Sequence, residues 1–409
     1  MNDFSYVEKL LDGVEVVWFP ISEVTERTTN IKWRETSERH QYIDLTSVSV
    51  DTKKIIETTE VKASNAPSRA QKLVKKDDVL FATTRPTQMR YCLIDEEYDG
   101  AVASTGYCVL RVKRDVTLPK WILHLISSSD FKKYLEENQS GSAYPAISDA
   151  KVKDFSIPIP CPDNPEKSLA IQAEIVRILD AFTAMTAELT AELTAELNMR
   201  KKQYNYYRGQ LLSFEEGDVE WKTLGDLAEN LDSKRKPITS GLREAGEIPY
   251  YGASGIVDYV KDYIFDGDYL LVSEDGANLL ARNTPIAFSI SGKTWVNNHA
   301  HVLKFETYAE RKYVEYYLNS IDLTPYISGA AQPKLNKKNL ESINIPNPAP
   351  KEKERIVAIL DKFDSLTCSI KEGLPREIEL RQKQYEYYRD LLLSFPASPA
   401  GGPKSDEAA

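Results

Sequence analysis

The chain alternates between long runs of helical apolar spacing and blocks that lack it. Ile175, Leu179, Phe182, Met185 and Leu189 step by three or four positions, which is the spacing of a helix–helix seam. A Pro-punctuated segment, FSIPIP at 155–160, precedes this run. The pattern predicts an extended segment followed by roughly 40 residues of helix, about 60 Å long at the α-helical rise.

The same pattern occurs twice. IVRILDAF (175–182) and QYNYYRGQLLSF (203–214) recur as IVAILDKF (356–363) and QYEYYRDLLLSF (384–395) with one constant shift. Just upstream, SGSAYPAI (140–147) resembles SGAAQPKL (328–335), and FSIPIP resembles INIPNP (343–348). In the second copy, Gly373 and Pro375 predict a kink or a break in the helix.

A short repeat lies inside the first helical run. The letters TAEL occur three times in tandem at 186–197. Ala, Glu and Leu are strong helix formers, and four residues are close to one turn, so each copy should lengthen the helix by about one turn. Taken alone, the run could equally be a solvated helix with an apolar stripe. The spacer positions are Thr186, Leu189, Thr190, Leu193, Thr194 and Leu197.

The order of segments suggests a ring that has been cut open. GVEVVWFPI (13–21) near the start echoes GDVEWKTL (217–224), which follows the first helix. The blocks between, head 1 (about 25–140) and head 2 (about 225–328), show no convincing similarity to each other. We predict an α+β protein with two globular mixed α/β heads separated by two long antiparallel coiled-coil helices, in a pseudo-two-fold circular arrangement. The predicted segments are 1–147, 148–216, 217–335, 336–396 and a disordered tail at 397–409.

Composition narrows the function classes. The net charge of −10, from 52 basic and 62 acidic residues, argues against a protein that coats nucleic acid non-specifically. No apolar stretch approaches the ~20 residues that span a bilayer, and the start lacks signal-peptide features. Four scattered cysteines indicate reduced thiols and a cytoplasmic protein. Both heads are net acidic, so we expect local basic patches together with phosphate contacts from partner subunits.

Catalytic motifs are poorly matched. AFSISGKT (287–294) formally fits a phosphate loop, but both flanks look like strands and the inner positions lack glycine. His299 and His301 could form a metal half-site, yet no third His or Cys cluster accompanies them. NPAP (347–350) and DNPE (163–166) lack the core of the Asn/Asp-Pro-Pro-aromatic motif of adenine methyltransferases. We therefore predict no catalytic residue, no metal and no cofactor in this chain.

The repeated IVxILDxF and QYxYYRxxLLSF segments, with their unlike heads, resemble the specificity (S) subunits of Type I restriction–modification systems. The TAEL run resembles the spacer repeat of one branch of that family. The resemblance implies a non-catalytic subunit whose two target-recognition heads each read one half of a split asymmetric site in double-stranded DNA. It also implies that the helices set the spacer length and dock two adenine-methyltransferase subunits, which recruit the restriction (motor and nuclease) subunits. S-adenosylmethionine would then belong to the methylation subunits, and ATP and Mg to the restriction subunits.

Two segments of head 1 suit DNA contact. Residues 66–94 are rich in basic and hydroxyl side chains, and 103–112 reads as a polar turn feeding a buried strand. Arg can bind guanine O6 and N7 with two hydrogen bonds, while Lys and hydroxyl groups suit phosphates. A solvated basic face beside a strand is the structural alternative. The predicted contacts are Ser68, Arg69, Lys72, Thr84, Arg85, Thr87, Arg90, Ser104 and Thr105.

In head 2, Gly252, Gly255 and Gly276 mark tight turns that should display the polar residues beside them. One residue of each strand pair could instead be a core residue, because alternate strand residues face inward. The recurring loops are 140–147 and 328–335, in which Tyr144 is equivalent to Gln332. We interpret them as backbone or partner contacts rather than base readers. The predicted DNA contacts are Lys234, Arg235, Lys236, Tyr250, Tyr251, Ser254, Asn278, Lys293, Trp295, Asn297, Asn298, His299, His301 and Lys334.

The duplicated tyrosine-rich words predict two equivalent docking sites for partner subunits. An alternative from another class is a coiled-coil scaffold with two protein-binding heads, and a more distant one is a self-sufficient DNA methyltransferase or nuclease. No membrane association is expected. The predicted docking residues are Tyr204, Tyr206, Tyr207 and Arg208, repeated as Tyr385, Tyr387, Tyr388 and Arg389.

Overall fold

The computed structural model describes residues 9–11, 13–215, 217–329, 332–368 and 373–395. The predicted tail at 397–409 lies outside the described residues. Spatial contacts divide the chain into two units, unit 1 with residues 1–191 and 379–409 and unit 2 with residues 192–378. The sequence-based segment boundaries follow motifs rather than contacts and stay predictions.

The first part of the chain consists of short elements followed by one long helix. In chain order they are β1 (Val16–Pro20), α1 (Ile21–Val24), β2 (Thr25–Glu26), β3 (His40–Ile43), β4 (Thr59–Val61), β5 (Ala70–Leu73), β6 (Val79–Ala82), β7 (Tyr91–Leu93), β8 (Val102–Ser104), β9 (Tyr107–Val112), α2 (Pro119–Leu125), α3 (Ser129–Asn138), α4 (Asp149–Lys153), β10 (Ser156–Pro160) and α5 (Pro165–Leu212).

The later elements follow a similar order. They are β11 (Glu220–Thr223), α6 (Leu224–Leu227), β12 (Glu229–Asn230), β13 (Ala245–Gly252), β14 (Gly255–Val260), β15 (Phe265–Asp266), β16 (Tyr269–Ser273), α7 (Asn278–Ala281), β17 (Ala287–Ile290), β18 (Lys293–Val296), β19 (Ala300–Lys304), α8 (Tyr308–Ser320), α9 (Lys337–Glu341), β20 (Asn344–Asn347), α10 (Pro350–Cys368) and α11 (Leu374–Leu392).

The two heads have the same strand order. Head 1 contains the sheets β2-β9-β6-β7 and β4-β3-β8-β5, and head 2 contains β12-β19-β16-β17 and β14-β13-β18-β15. In each, a single parallel pair (β3 with β8, β13 with β18) occurs among antiparallel neighbours. The registers make Tyr42 equivalent to Tyr250, because each is the first paired residue of its parallel pair. Tyr42 pairs with Val102, and Tyr250 pairs with Trp295. The heads therefore share a fold that their sequences do not reveal.

A two-stranded ribbon supports each head. Strand β1 pairs with β10, with Trp18 opposite Pro158, and β11 pairs with β20, with Trp221 opposite Pro346. The N-terminal segment thus takes the same place in unit 1 that the segment after α5 takes in unit 2. This pairing explains the echo between 13–21 and 217–224.

The helical segments are longer in the first copy than in the second. Helix α5 runs for 48 residues, whereas α10 and α11 have 19 residues each. Gly373 precedes α11 with φ of +85°, and a Cβ there would lie 2.4 Å from the Ser365 carbonyl oxygen. The predicted break in the second copy is confirmed, because only glycine fits this close approach in the left-handed region.

The TAEL copies lie on α5 with their leucines aligned. Leu189, Leu193 and Leu197 are half-buried, while the alanine of each copy is exposed. The division between the two units falls within this run, between 191 and 192. The predicted apolar stripe is present.

One repeated aspartate ties a helix to its head in each unit. In unit 1, Asp180 of α5 accepts hydrogen bonds from His124 at 2.9 Å and Lys120 at 2.6 Å. At the same repeat position in unit 2, Asp361 of α10 accepts from Tyr308 at 2.8 Å and from Tyr316. Also in unit 1, the hydroxyl of Tyr385 on α11 lies 2.9 Å from that of Thr183 on α5. The predicted class, two mixed α/β sheet domains with a long helix, is confirmed.

Candidate nucleic-acid interface

Backbone hydrogen bonds join three loops of head 1 to one another, and one of these loops to the loop at 140–147. The Thr105 N–H donates to the Arg69 carbonyl at 2.8 Å, and the Thr83 N–H donates to Gly106 at 2.8 Å. The Arg85 N–H donates to Pro145 at 2.7 Å. We call this surface rim 1, defined by residues 68–69, 83–88, 104–106 and 140–146.

Rim 1 displays several predicted contacts. Ser68, Arg69, Thr84, Arg85 and Thr105 are exposed, and Thr87 is half-buried. The guanidinium carbon of Arg85 lies 5.6 Å from the centroid of the Tyr144 ring. Arginine forks and hydroxyl groups are suited to base edges and phosphates in DNA.

Three predicted contacts of head 1 have structural roles instead. Ser104 is fully buried, because it lies at the inward end of β8 next to the Gly106 turn. Arg90 donates to the carbonyls of Leu45 and Val48 and so holds that loop. Lys72 forms an ion pair with Asp149, with 17% of its side chain exposed. We correct these three predictions, since their polar groups are used inside the protein.

Head 2 repeats the backbone frame of rim 1. The Glu274 N–H donates to the His299 carbonyl at 2.9 Å, as Thr83 does to Gly106. Similarly, the Gly276 N–H donates to Pro333 at 3.3 Å, as Arg85 does to Pro145. We call this surface rim 2, defined by residues 274–276, 297–299, 328–329 and 332–334. Thr83, Arg85 and Gly106 thus occupy the same places as Glu274, Gly276 and His299.

The predicted contacts exposed in head 2 differ in chemistry from those of rim 1. His299 Nδ1 lies 2.9 Å from the Asp275 carboxylate, and Lys334 Nζ lies 3.0 Å from Glu274 Oε1. The acidic partners Glu274 and Asp275 were missed as functional residues, although they lie within LLVSEDGANLL at 270–280. The exposed members of the predicted set are Lys234, Lys236, Ser254, Lys293, Asn298, His299 and Lys334.

A buried ion cluster lies directly behind rim 2. His301 Nδ1 is 2.6 Å from Asp232, and Nε2 is 2.7 Å from the Leu335 carbonyl. Both ring nitrogens are therefore occupied by partners within the protein. Arg235 adds a bond of 2.6 Å to Glu274. Ligand atoms of Asp232, Glu274 and His301 lie within 4.8 Å of one another, which is close enough for a metal site. However, hydrogen bonds already occupy both nitrogens of His301, and Arg235 supplies positive charge to the carboxylates. We therefore interpret the group as an ion-pair cluster.

The carboxylates of this cluster are held in the charged form. Burial would raise the pKa of Asp232, but hydrogen bonds from His301 and the Val302 N–H outweigh it and lower that pKa. Burial would likewise raise the pKa of Glu274, but hydrogen bonds from Arg235 and Lys334 lower it. The cluster therefore stabilises the joint between β19, β16 and the loop that carries Lys334.

Several predicted contacts in head 2 are corrected. Tyr250 of β13, His301 of β19 and Asn297, which follows β18, are buried. Asn297 accepts from the His299 N–H at 2.8 Å and so shapes the rim without facing DNA. The remaining members of the predicted set are half-buried: Arg235, Tyr251, Asn278 and Trp295. Of these, Arg235, Asn278 and Trp295 donate hydrogen bonds to backbone carbonyls nearby.

The two tyrosine-rich words have matching geometry, each within its own unit. Tyr207 lies 5.6 Å from Phe363, and Tyr388 lies 6.3 Å from Phe182, between ring centroids. The guanidinium carbon lies 5.2 Å from the tyrosine ring in the Arg208–Tyr204 pair and 5.8 Å in the Arg389–Tyr385 pair. The most exposed tyrosines of the two words are Tyr206, 63% exposed, and Tyr387, 59% exposed. Their neighbours Tyr207 and Tyr388 are exposed to a smaller extent.

The formal phosphate-loop match is a strand–turn–strand segment that joins the two sheets of head 2. Residues 287–294 run from β17 through Gly292, with φ of +77°, into β18. A phosphate loop needs a helix N-terminus at that place.

Burial raises the pKa of the Cys92 and Cys108 thiols to about 12, which leaves them unreactive. In the described part of the chain, no helix is long and apolar enough to cross a membrane.

Comparison with known proteins identifies the family of this chain. Residues 14–199 and 216–380 match the family model for the Type I restriction modification DNA specificity domain. The chain belongs to this family. It is accordingly a non-catalytic DNA-recognition subunit of a Type I restriction–modification system.

Two relatives from Escherichia coli cover nearly the full length. The chain is 41% identical to the Type I restriction enzyme EcoR124I/EcoR124II specificity subunit, over 97% of this chain and 98% of that protein. It is 36% identical to the EcoprrI specificity subunit, over 91% of this chain and 93% of that protein.

Two solved structures share the fold. One, from a study of complex assembly and conformational transition of the type I R-M system, has a TM-score of 0.69 and 21% identity over 92% of this chain and 97% of that chain. The HsdS subunit from Thermoanaerobacter tengcongensis has a TM-score of 0.53 and 23% identity over 92% and 95% of the two chains.

Proposed function

We propose that head 1 and head 2 each read one half of a split, asymmetric site in double-stranded DNA. The observation that carries the proposal is the pair of rims: one backbone frame presents Arg85 and Thr84 in head 1 but Gly276 and Asp275 in head 2. An equal frame with unlike side chains is what recognition of two different half-sites requires. The complex would act in the cytoplasm.

The TAEL run sets the gap between the half-sites, as in the TAEL branch of the family. One copy adds about 6 Å of rise and a net twist of roughly 40°. One base pair adds about 3.4 Å and roughly 35°. Because the period is four, adding or removing a copy nearly preserves the half-buried leucine stripe.

The two tyrosine-rich words each dock one adenine-methylation subunit. Exposed Tyr206 and Tyr387, on matched scaffolds of ring contacts, are suited to be anchors, because aromatic residues dominate interface energetics. The methylation subunits would bring S-adenosylmethionine and recruit restriction subunits that use ATP and Mg.

The test is methylation mapping after co-expression with the presumed methylation subunit. The expected result is adenine methylation at a split site, with two methylation subunits per chain in native mass spectrometry. Deleting 194–197 should shorten the gap by about one base pair and leave both half-sites unchanged. A two-residue deletion is the control, since it turns the stripe by roughly 200° and should abolish activity.

Exchange of residues 25–140 for the first head of another specificity subunit tests the division of labour. One half-site should change and the other should stay. Full activity with an unchanged gap after the four-residue deletion would contradict the spacer role. One methylation subunit per chain at saturation would contradict the docking role.

A further inference from the structure

Arg85 is held in an unusual backbone conformation on rim 1. Its φ is +49°, in the left-handed region that non-glycine residues rarely adopt. Backbone contacts on both sides impose it: the Arg85 N–H donates to Pro145 at 2.7 Å, and the Ile147 N–H donates to Thr83 at 2.9 Å. Strained positions that are held so firmly tend to occur at functional sites.

The partner of Arg85 is an exposed aromatic ring. Tyr144 is 74% exposed, so it contributes little to the core. Its loop is closed by two reciprocal backbone hydrogen bonds of 2.9 Å between Ser140 and Ala146. The Tyr144 ring lies 5.6 Å from the Arg85 guanidinium carbon, within the range of a cation–π contact.

The charge of Arg85 is not neutralised within the protein. Across the described residues, no carboxylate lies within the 4.0 Å ion-pair distance of Arg85 or Arg69. Thr84 and Thr105 are exposed on the same rim. A guanidinium covered on one face by a ring and lacking an acidic partner keeps its donor edge available.

We propose that Tyr144 is a positioning residue that orients Arg85 to read a guanine in the half-site of head 1. This inference rests on the proposed function and deepens it. The guanidinium offers paired donors in a fixed fork, which matches the O6 and N7 acceptors of guanine in the major groove. The ring restricts the rotation of that fork, so less freedom is lost on binding.

Rim 2 shows that the pair is special to head 1. Gly276 stands where Arg85 stands, and Gln332 stands where Tyr144 stands. Neither the guanidinium nor the ring exists there. The guanine contact should therefore belong to one half-site alone, and the loop at 140–147, which the sequence suggests is a backbone or partner contact, takes part in specificity.

The experiment measures methylation rates by the full chain with its methylation subunits on a DNA library randomised in the head 1 half-site. Tyr144→Gln, which installs the residue found in rim 2, should lower the preference for guanine at one position about tenfold. Tyr144→Phe keeps the ring and should retain the preference. The half-site read by head 2 should not change in either variant.

Arg85→Lys is the matched variant, because it keeps the charge and removes the fork. It should abolish the same guanine preference while methylation of other sequences persists. A uniform loss across all sequences in Tyr144→Gln, an unchanged guanine preference, or a head 1 half-site without guanine would each overturn the inference. If the wild-type complex methylates no split site, the proposed function is contradicted together with this inference. If it methylates a split site and Tyr144→Gln leaves the guanine preference unaltered, this inference alone is contradicted.

Discussion

Head 1 and head 2 are built on one strand order but present different chemistry at equivalent places. Rim 1 offers uncompensated arginines and hydroxyl groups, whereas rim 2 pairs its histidine and lysine with carboxylates. Behind the rims, Cys108 of head 1 occupies the place of His301, with its ion cluster, in head 2. The backbone frame is thus separable from the side chains that it displays, which allows one fold to recognise unlike DNA sequences.

The junctions between heads and helices show the same separation. Asp180 and Asp361 are the same residue of the repeat, yet one binds a histidine and a lysine and the other binds two tyrosines. The helix repeat is constant, and each head supplies its own partners to it. Four predictions test this comparison.

The largest effect is expected from the ion cluster that only head 2 has. Glu274→Ala removes the partner of Lys334 and leaves Arg235 with Asp232 alone, which should destabilise head 2 by about 3 kcal/mol, as for a broken buried pair. Thr83→Ala, the matched variant in head 1, loses one hydrogen bond to Gly106 and should cost about 1 kcal/mol. Hydrogen exchange of each head measures both losses. Equal losses would show that the cluster adds nothing to head 2.

The next effect concerns docking at the repeated tyrosines. Tyr206→Ala and Tyr387→Ala should each weaken the binding of one methylation subunit by about 2 kcal/mol, because each removes a central aromatic anchor. Native mass spectrometry should show one bound subunit in either variant and none in the double variant. If one variant releases both subunits, the two copies do not act as independent sites.

A smaller effect is expected at His299. Asp275 takes the Nδ1 side of the ring, so we expect Nε2 to be the nitrogen that contacts DNA. Asp275→Asn removes the charge that fixes the tautomer, and it should reduce base discrimination at one position of the head 2 half-site about fivefold, near 1 kcal/mol. The readout is the methylation rate on a library randomised in that half-site. An altered head 1 half-site would be incompatible with independent heads.

The smallest effect is a pH dependence of opposite sign at the two junctions. Burial would raise the pKa of Asp180, but bonds from His124 and Lys120 lower it, so its stabilisation is complete above about pH 4 and is lost as the pH falls further. Burial and Asp361 raise the pKa of Tyr308 to about 12, so its contribution is complete below about pH 10 and is lost as the pH rises through 12.

Both groups are partly exposed, so each contribution should be a few tenths of a kcal/mol. Urea unfolding of Asp180→Asn and Tyr308→Phe against the wild type should show the Asp180 penalty shrinking in acid and the Tyr308 penalty shrinking in alkali. Penalties that do not vary with pH would mean that neither group is coupled to its junction.

Sequence alone was enough to predict the repeated helical segments, the break near Gly373, the leucine stripe of the TAEL run and the family. These features are local or duplicated: a step of three or four positions specifies a helical seam wherever it occurs, and a repeated word needs no tertiary knowledge to be found. The strand–turn–strand segment at 287–294 was also predictable, because its flanks read as strands and its inner positions lack a phosphate loop's glycines.

Which polar residues reach the rims depends on tertiary packing. Residues two apart in a strand lie on the same face, so the sequence could not distinguish the exposure of His299 from that of His301. Packing buries His301 and leaves His299 exposed. The likeness of the heads was hidden too, because a strand order can be specified by many apolar patterns. Tyr144 and Arg85 are far apart in the chain, and they meet because backbone hydrogen bonds between two loops bring them together.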